Sequence, residues 1–230
     1  MSKTLQQNLD QVMLESGFQK PDSYIGNQDQ NVAQIVALAQ VAAGEIAELG
    51  LETLRSIWTL PLTSATSYAL PSDFLGFVPN TMYQHGRWDA VDLPTTPEVW
   101  AMLTSIVGIA SLPVRARIMG DQLLIINPTA GATINAEYFS NAPIQESFTT
   151  NYLNQWHADQ DTWRLDDRLF QLEVKWRFKK EKSLPDWQID LQDAANRRNT
   201  VRARTNANSS IVPNRETVAG QPYANLWVPN

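Results

Sequence analysis

The sequence predicts an α+β fold: a helical body of long N-terminal and C-terminal helices, a β-rich hairpin and meander insertion, and an extended C-terminal arm. Three observations predict it. Apolar residues recur at helical spacing near both ends, in Leu5, Leu9 and Val12 and again in Leu165, Leu169, Leu172 and Trp176. Between them the period falls to two and turn residues crowd in, as in 114–119, Gly120-Asp121 and 122–127. Beyond residue 204 no period survives, and Asn and Ser alternate with Pro213, Pro222 and Pro229.

Residues 4–16 read as a short helix, with Gly17 just past its end. Residues 18–28 carry Pro21, Asp22, Gly26 and Asn27 and form a loop. Asp29 caps a long helix over 29–49, whose stripe is Val32, Ile35, Val36, Ala39, Ala43, Ile46 and Leu49, with Gly50 as its stop.

Residues 56–62 and 67–70 flank a Thr-Ser-Ala-Thr turn and are expected to pair as a hairpin. Pro71, Ser72 and Asp73 turn the chain into 74–78, and a further extended piece, 80–85, ends at Gly86. Thr96 as cap and Pro97 at the first helical position open a helix that ends near Ser105. The strongest hairpin closes about Gly120-Asp121, and 133–140 alternates as a third strand beside it. Its expected apolar face is Val114, Ile118, Leu124 and Ile126. The insertion, about 56–140, is read as too small to need its own domain, so 1–204 is a single domain.

Residues 165–182 form a helix apolar on two faces, one marked by Leu165, Leu169, Leu172 and Trp176, the other by Phe170, Val174 and Phe178. Such a helix is wedged between two layers, or between its own domain and a neighbouring subunit. Pro185 opens a weaker helix over 185–204, and 205–230 is the arm.

Composition narrows the chemistry. Of 230 residues 43% are apolar and 18% charged, enough for a sizeable core. The absence of cysteine excludes disulfides, thiolate nucleophiles, iron–sulfur clusters and cysteine zinc sites. The N-terminal MSKTLQQNLDQ has no apolar core of a secretory signal, and no apolar run approaches the roughly 20 residues that cross a bilayer. A soluble, intracellular protein without a membrane partner is expected. Eight tryptophans are a heavy aromatic load, suited to cores and protein contacts.

No phosphate-binding loop, dinucleotide fingerprint, zinc-protease motif or nucleophile elbow occurs. Asp166 and Asp167 stand where a helix cap is needed. His157 lies near Asp159 and Asp161 without a recognisable ligand spacing, and reads as a loop histidine. His85, beside Gly86-Arg87-Trp88, reads as a polar turn residue. No enzyme activity, catalytic residue, metal or cofactor is expected.

The charge is uneven. Through Gln160 there are six basic and fifteen acidic residues, and from Asp161 onward twelve and nine. The excess sits in 175–182 and 197–204 and suits either a nucleic-acid arm or solvated helix faces. Lys175, Trp176, Arg177, Phe178, Lys179 and Lys180 interleave cations with aromatics. On a helix, however, Trp176 and Phe178 point about 200° apart and make no common stacking platform. A DNA-packaging or DNA-binding accessory using the basic C-terminal third stands as the alternative reading.

Several stretches, in order, resemble the head-to-tail adaptor (connector) proteins of tailed bacteriophages. They are Tyr68-Ala69-Leu70-Pro71-Ser72-Asp73-Phe74, Arg87-Trp88-Asp89, Pro94-Thr95-Thr96-Pro97-Glu98-Val99-Trp100 and Gly120-Asp121-Gln122-Leu123-Leu124-Ile125. Then come Pro128-Thr129-Ala130-Gly131-Ala132-Thr133, Glu137-Tyr138-Phe139-Ser140-Asn141, Leu165-Asp166-Asp167-Arg168-Leu169 and Lys175-Trp176-Arg177-Phe178-Lys179. The resemblance covers about residues 30–200.

It implies a virion structural protein at the head–tail junction, made in the host cytoplasm. Twelve copies would form a ring beneath the portal protein, above a tail or nozzle protein, with DNA passing through unbound during ejection. Net acidity suits such a conduit, because each phosphate neutralised adds drag. Leu169, Phe170, Val174, Trp176 and Phe178 are the candidate core and subunit-interface residues. Tyr223, Leu226, Trp227 and Val228 at the end of the arm are the candidate docking anchors, apolar groups costly to leave in water.

Overall fold

The computed structural model describes residues 2–85, 91, 96–105, 114–126 and 128–209, with backbone alone for 206–209. Among them are five helices and three small antiparallel sheets, a mixed α+β architecture.

The helices begin where side chains satisfy their free N–H groups. In α1 (Leu5–Glu15) Thr4 accepts from the Gln7 N–H at 3.2 Å, and the Gln7 side chain accepts from the Thr4 N–H at 3.1 Å. In α2 (Gln30–Ala47) the Asp29 carboxylate accepts from Asn31 and Val32. Gly50 (φ +62°) ends that segment by a left-handed turn that other residues adopt at a cost. The α4 helix (Asp167–Glu181) starts at Asp166, which accepts from the Leu169 N–H at 2.8 Å.

α4 is wedged between α1 and α2 on one side and α5 (Trp187–Ser209) on the other. Leu169, Phe170, Val174 and Phe178 are fully buried with Leu5, Leu9, Ile35, Ala39 and Ile46. A polar clasp crosses this core: Gln171 donates to Asn8 at 2.9 Å, and Asn8 donates to the Thr4 carbonyl at 3.1 Å. α5 runs on as helix to Ser209, past the expected end at 204, because nothing in 205–209 breaks it.

A small sheet unanticipated in the sequence sits at the N-terminal end of α4. It has the order β10–β8–β9, from Thr162–Trp163, Ile144–Gln145 and Tyr152–Leu153. Trp163 stacks on Phe170 with ring centroids 4.7 Å apart and lies 5.9 Å from Trp156, joining sheet to helix.

The insertion holds two sheets. In one, β7 (Thr133–Ser140) is central, flanked by β1 (Arg55–Pro61) and by β3 (Phe74–Phe77) and β4 (Tyr83–Gln84). In the other, β6 (Gln122–Ile126) lies between β2 (Ser67–Ala69) and β5 (Arg115–Met119). The β5–β6 hairpin and α3 (Pro97–Ser105) stand where the sequence put them, with Thr96 accepting from Val99 at 3.4 Å.

The pairing differs from expectation in three ways. Residues 56–62 and 67–70 do not pair: β1 joins β7, with Trp58 opposite Ala136, while β2 joins β6, with Tyr68 opposite Leu123. β7 is not a third strand on the β5–β6 hairpin but the centre of the other sheet. The buried face of that hairpin is Val114, Ala116, Leu123 and Ile125, so Leu124 and Ile126 point the other way and Ile118 is exposed at the tip. Inward residues of both sheets, Leu60, Ile134 and Ala136 with Ala116, Leu123 and Ile125, meet in a core of their own. No residue of that cluster belongs to the core of the helical body.

Candidate interaction surfaces

The basic C-terminal third is the stretch most open to a functional reading, and six of its twelve cations are paired inside the chain. Glu173, 1% exposed, accepts from Arg177 one turn later at 2.5 Å, from Trp176 Nε1 at 2.9 Å and from Arg198 of α5. Arg177 also reaches Glu45 of α2. Lys175 bridges Glu15 at 2.9 Å and Asp190 at 3.0 Å, and Lys179 meets the same Asp190 at 2.6 Å. Arg168 pairs with Glu15 at 2.9 Å, and Arg197 with Asp166. Five carboxylates thus hold six cations across four helices.

Burial opposes the charge on Glu15, Asp166, Glu173 and Lys175, and paired hydrogen bonds outweigh it. Burial pushes the Glu15 carboxyl up, but bonds from Gln11, Lys175 and Arg168 bring it down to about 2. Glu173 and Asp166 are likewise held below the usual carboxylate range against their burial, by Trp176, Arg177 and Arg198 in one case and by Arg197 and the Leu169 N–H in the other. Lys175 is held above its ordinary value against burial by Glu15 and Asp190. The array locks α1, α2, α4 and α5 together. It withdraws half of the basic residues from Asp161 onward from a phosphate backbone.

Of the sequence-predicted site residues, Leu169, Phe170, Val174 and Phe178 lie wholly inside the subunit's own core. Trp176 does not join them: it is half-buried at the edge of α4, its indole on Glu173 and the Arg177 guanidinium 4.3 Å above its ring. Tyr223, Leu226, Trp227 and Val228 lie outside the described residues.

The polar candidates serve the architecture. Asp159 accepts from the Tyr24 and Ile25 N–H groups and from the Ser23 hydroxyl, tying the 18–28 loop to the small sheet. Asp161 accepts from the Ser147, His157 and Ala158 N–H groups at 2.8–2.9 Å. The His85 N–H donates to the Thr133 carbonyl at 2.7 Å, where β4 ends.

Exposed apolar residues mark the surfaces the sequence did not signal. Phe148, at the tip of the β8–β9 connection, is 98% exposed, and a lone aromatic in a polar loop has no period to betray it. On the insertion, α3 buries none of its nine residues and presents Val99 and Met102. At the α4–α5 corner Ile189 and Leu191 are exposed.

The family model of the SU10 adaptor protein matches residues 4–219, nearly the whole chain. The chain belongs to this family of phage head-to-tail adaptors. Membership carries a structural role in the virion and association with portal and tail components. No curated protein matches the chain. Among the described residues, no helix of this adaptor is long and apolar enough to cross a membrane.

Proposed function

We propose that the chain assembles, in twelve copies, as a ring beneath the portal, joining the DNA-filled head to the tail and continuing the DNA channel without catalysis, metal or cofactor. The family match over residues 4–219 carries the reading. The helical body supports it: a ring subunit must hold its shape under load from both sides, and the buried ion-pair array ties four helices into one block. The same array weighs against the DNA-binding alternative, since Lys175, Arg177, Lys179, Arg197 and Arg198 already face carboxylates. In this reading the chain beyond α5 is a docking arm that seats Tyr223, Leu226, Trp227 and Val228 on the portal or on an adjacent copy.

Electron microscopy of the purified chain, alone and mixed with portal, tests the assembly. Rings or density capping the portal are expected; a chain that stays monomeric with portal, yet binds duplex DNA with a steep loss on adding salt, overturns it. Truncation after Gly220 tests the arm. The melting temperature is expected to hold while portal docking weakens, and unchanged docking removes the arm's role.

A further inference from the structure

The edge of β1 that faces away from β7 is open. Leu62, just past β1, donates to the Ala132 carbonyl at 2.7 Å and accepts from the Gly131 N–H at 3.0 Å. The Thr133 and Glu137 carbonyls of β7 accept instead from His85 and Val78, on its other side. Bonded residues alternate along an antiparallel pair, so Ser56, Trp58 and Leu60 turn their backbone groups to β7, and Arg55, Ile57, Thr59 and Pro61 turn theirs outward. The ends of that outward edge are closed: the Arg55 N–H donates to the Glu52 carbonyl, and Pro61 has no N–H. Its middle is not. No described strand lies beyond Ile57 and Thr59, whose N–H and C=O groups form a template for one more strand.

Both faces of the sheet are apolar at this edge. Ile57 is 73% exposed on the outer face. On the inner face Trp58 stacks on Phe77, ring centroids 5.9 Å apart, and stays half-buried, so the core of the insertion ends there in a margin that an added strand would cover.

The chain carries a segment that matches. Pro222 and Pro229 bracket Tyr223-Ala224-Asn225-Leu226-Trp227-Val228, which is free of charge and of proline and rich in strand formers. It alternates: Ala224, Leu226 and Val228 are wholly apolar, while Tyr223, Asn225 and Trp227 each carry a polar group. Residues 210–222 join α5 to this segment and can span up to about 45 Å. The C-terminal half of α5 also lies at the end of the body from which β1 departs. Arg197 and Arg204 act on Asp166, and Arg164, two residues earlier, donates to the Thr53 carbonyl just before β1.

An arm and an edge are two different, complementary patches on one subunit, as a closed ring of identical copies requires. We propose that residues 223–228 of one copy add as a strand to the free edge of β1 in the next, with Leu226 and Val228 on the inner face beside Trp58 and with Tyr223, Asn225 and Trp227 on the outer face beside Ile57. The contact rests on the ring and arm reading above and specifies the surface that receives the arm.

Because the chain has no cysteine, the pairing can be trapped and its period read. Ile57→Cys is combined in turn with Tyr223→Cys, Ala224→Cys, Asn225→Cys, Leu226→Cys or Trp227→Cys, and assembled particles are oxidised. At least one of positions 223, 225 and 227 is expected to give a ladder of covalent oligomers, at least tenfold above 224 and 226. Cross-links within single chains, cross-links without that alternation, or none in intact particles overturn the contact. If the cysteine variants do not enter particles, proline decides. Ile57→Pro removes an outward N–H and no bond to β7, so the isolated chain should melt close to wild type while incorporation falls at least tenfold, as it should for Leu226→Pro in the arm. Normal incorporation of either variant overturns the contact, and a large drop in the melting temperature of Ile57→Pro overturns the open edge on which it depends. Particles that hold the wild-type chain in single copies overturn the ring itself, a separate failure.

Discussion

Arg197 grips Asp166 with two donors, Nε at 2.9 Å and a terminal nitrogen at 2.5 Å, from a helix that begins twenty-one residues after that aspartate. Asp166 is also the N-cap of α4, so one carboxylate starts a helix and fastens the next one to it. Asp166→Asn keeps a capping oxygen and loses the ion pair, and should cost about 1 kcal/mol; Asp166→Ala loses both, about 2 kcal/mol. Thermal melts at neutral pH check the order, at roughly 2–4 °C per kcal/mol for a chain of this size.

The depressed carboxylates set an acid limit. Glu15, Asp166 and Glu173 hold fewer protons folded than unfolded, so their contribution is complete above the ordinary carboxylate range and is lost as pH falls through it toward the folded values, about 2 for Glu15. The melting temperature should therefore be flat from pH 7 to about 5 and fall steeply from there toward 2. Glu15→Gln should lower stability at pH 7 and shallow that fall; an unchanged slope would remove Glu15 from the acid response.

Two aromatics two residues apart on α4 should behave differently. Phe178 is fully buried and meets Phe18 edge-on at 5.1 Å, so Phe178→Ala should cost about 3–5 kcal/mol. Trp176 lies at the helix edge, and Trp176→Ala should cost only about 1–2 kcal/mol, mainly the hydrogen bond to buried Glu173. Equal losses in paired melts would put Trp176 back in the core.

These contrasts show what the sequence could and could not disclose. The helices were legible because caps and apolar stripes are local: Thr4, Asp29 and Asp166 each cap the helix they precede. Strand partners were not, since a period of two says which residues alternate and nothing about which strand lies alongside; β1 finds its partner some eighty residues away. The face of β6 was ambiguous because Leu123-Leu124-Ile125-Ile126 is apolar throughout, and a one-residue slip exchanges the two faces. Trp176 was misplaced because the apolar stripe ignores its neighbour Glu173, whose burial depends on arginines from its own helix and from α5.

The separate core of the insertion makes it removable. Deleting 117–123 takes away the β5–β6 tip and buried Leu123, yet no residue that packs in the helical body. Far-UV circular dichroism should keep its helical signal while assembly into particles is impaired. Loss of the helical signal would mean that the two cores fold as one.

Phe148 offers a test of stored strain that needs no partner. Its ring touches almost nothing in its own chain, so removing it forfeits almost no burial, while its φ of +61° is one that glycine adopts freely. Glycine also makes the unfolded chain more flexible, which opposes the gain. For a bulky residue the left-handed conformation costs about 1–2 kcal/mol, close to or above that entropic loss. Phe148→Gly should therefore leave the isolated protein as stable as the wild type or up to about 1 kcal/mol more so. Phe148→Ala keeps the unfavourable φ and should gain nothing. A Phe148→Gly melt several degrees below wild type would show that the ring has a structural role within its own subunit.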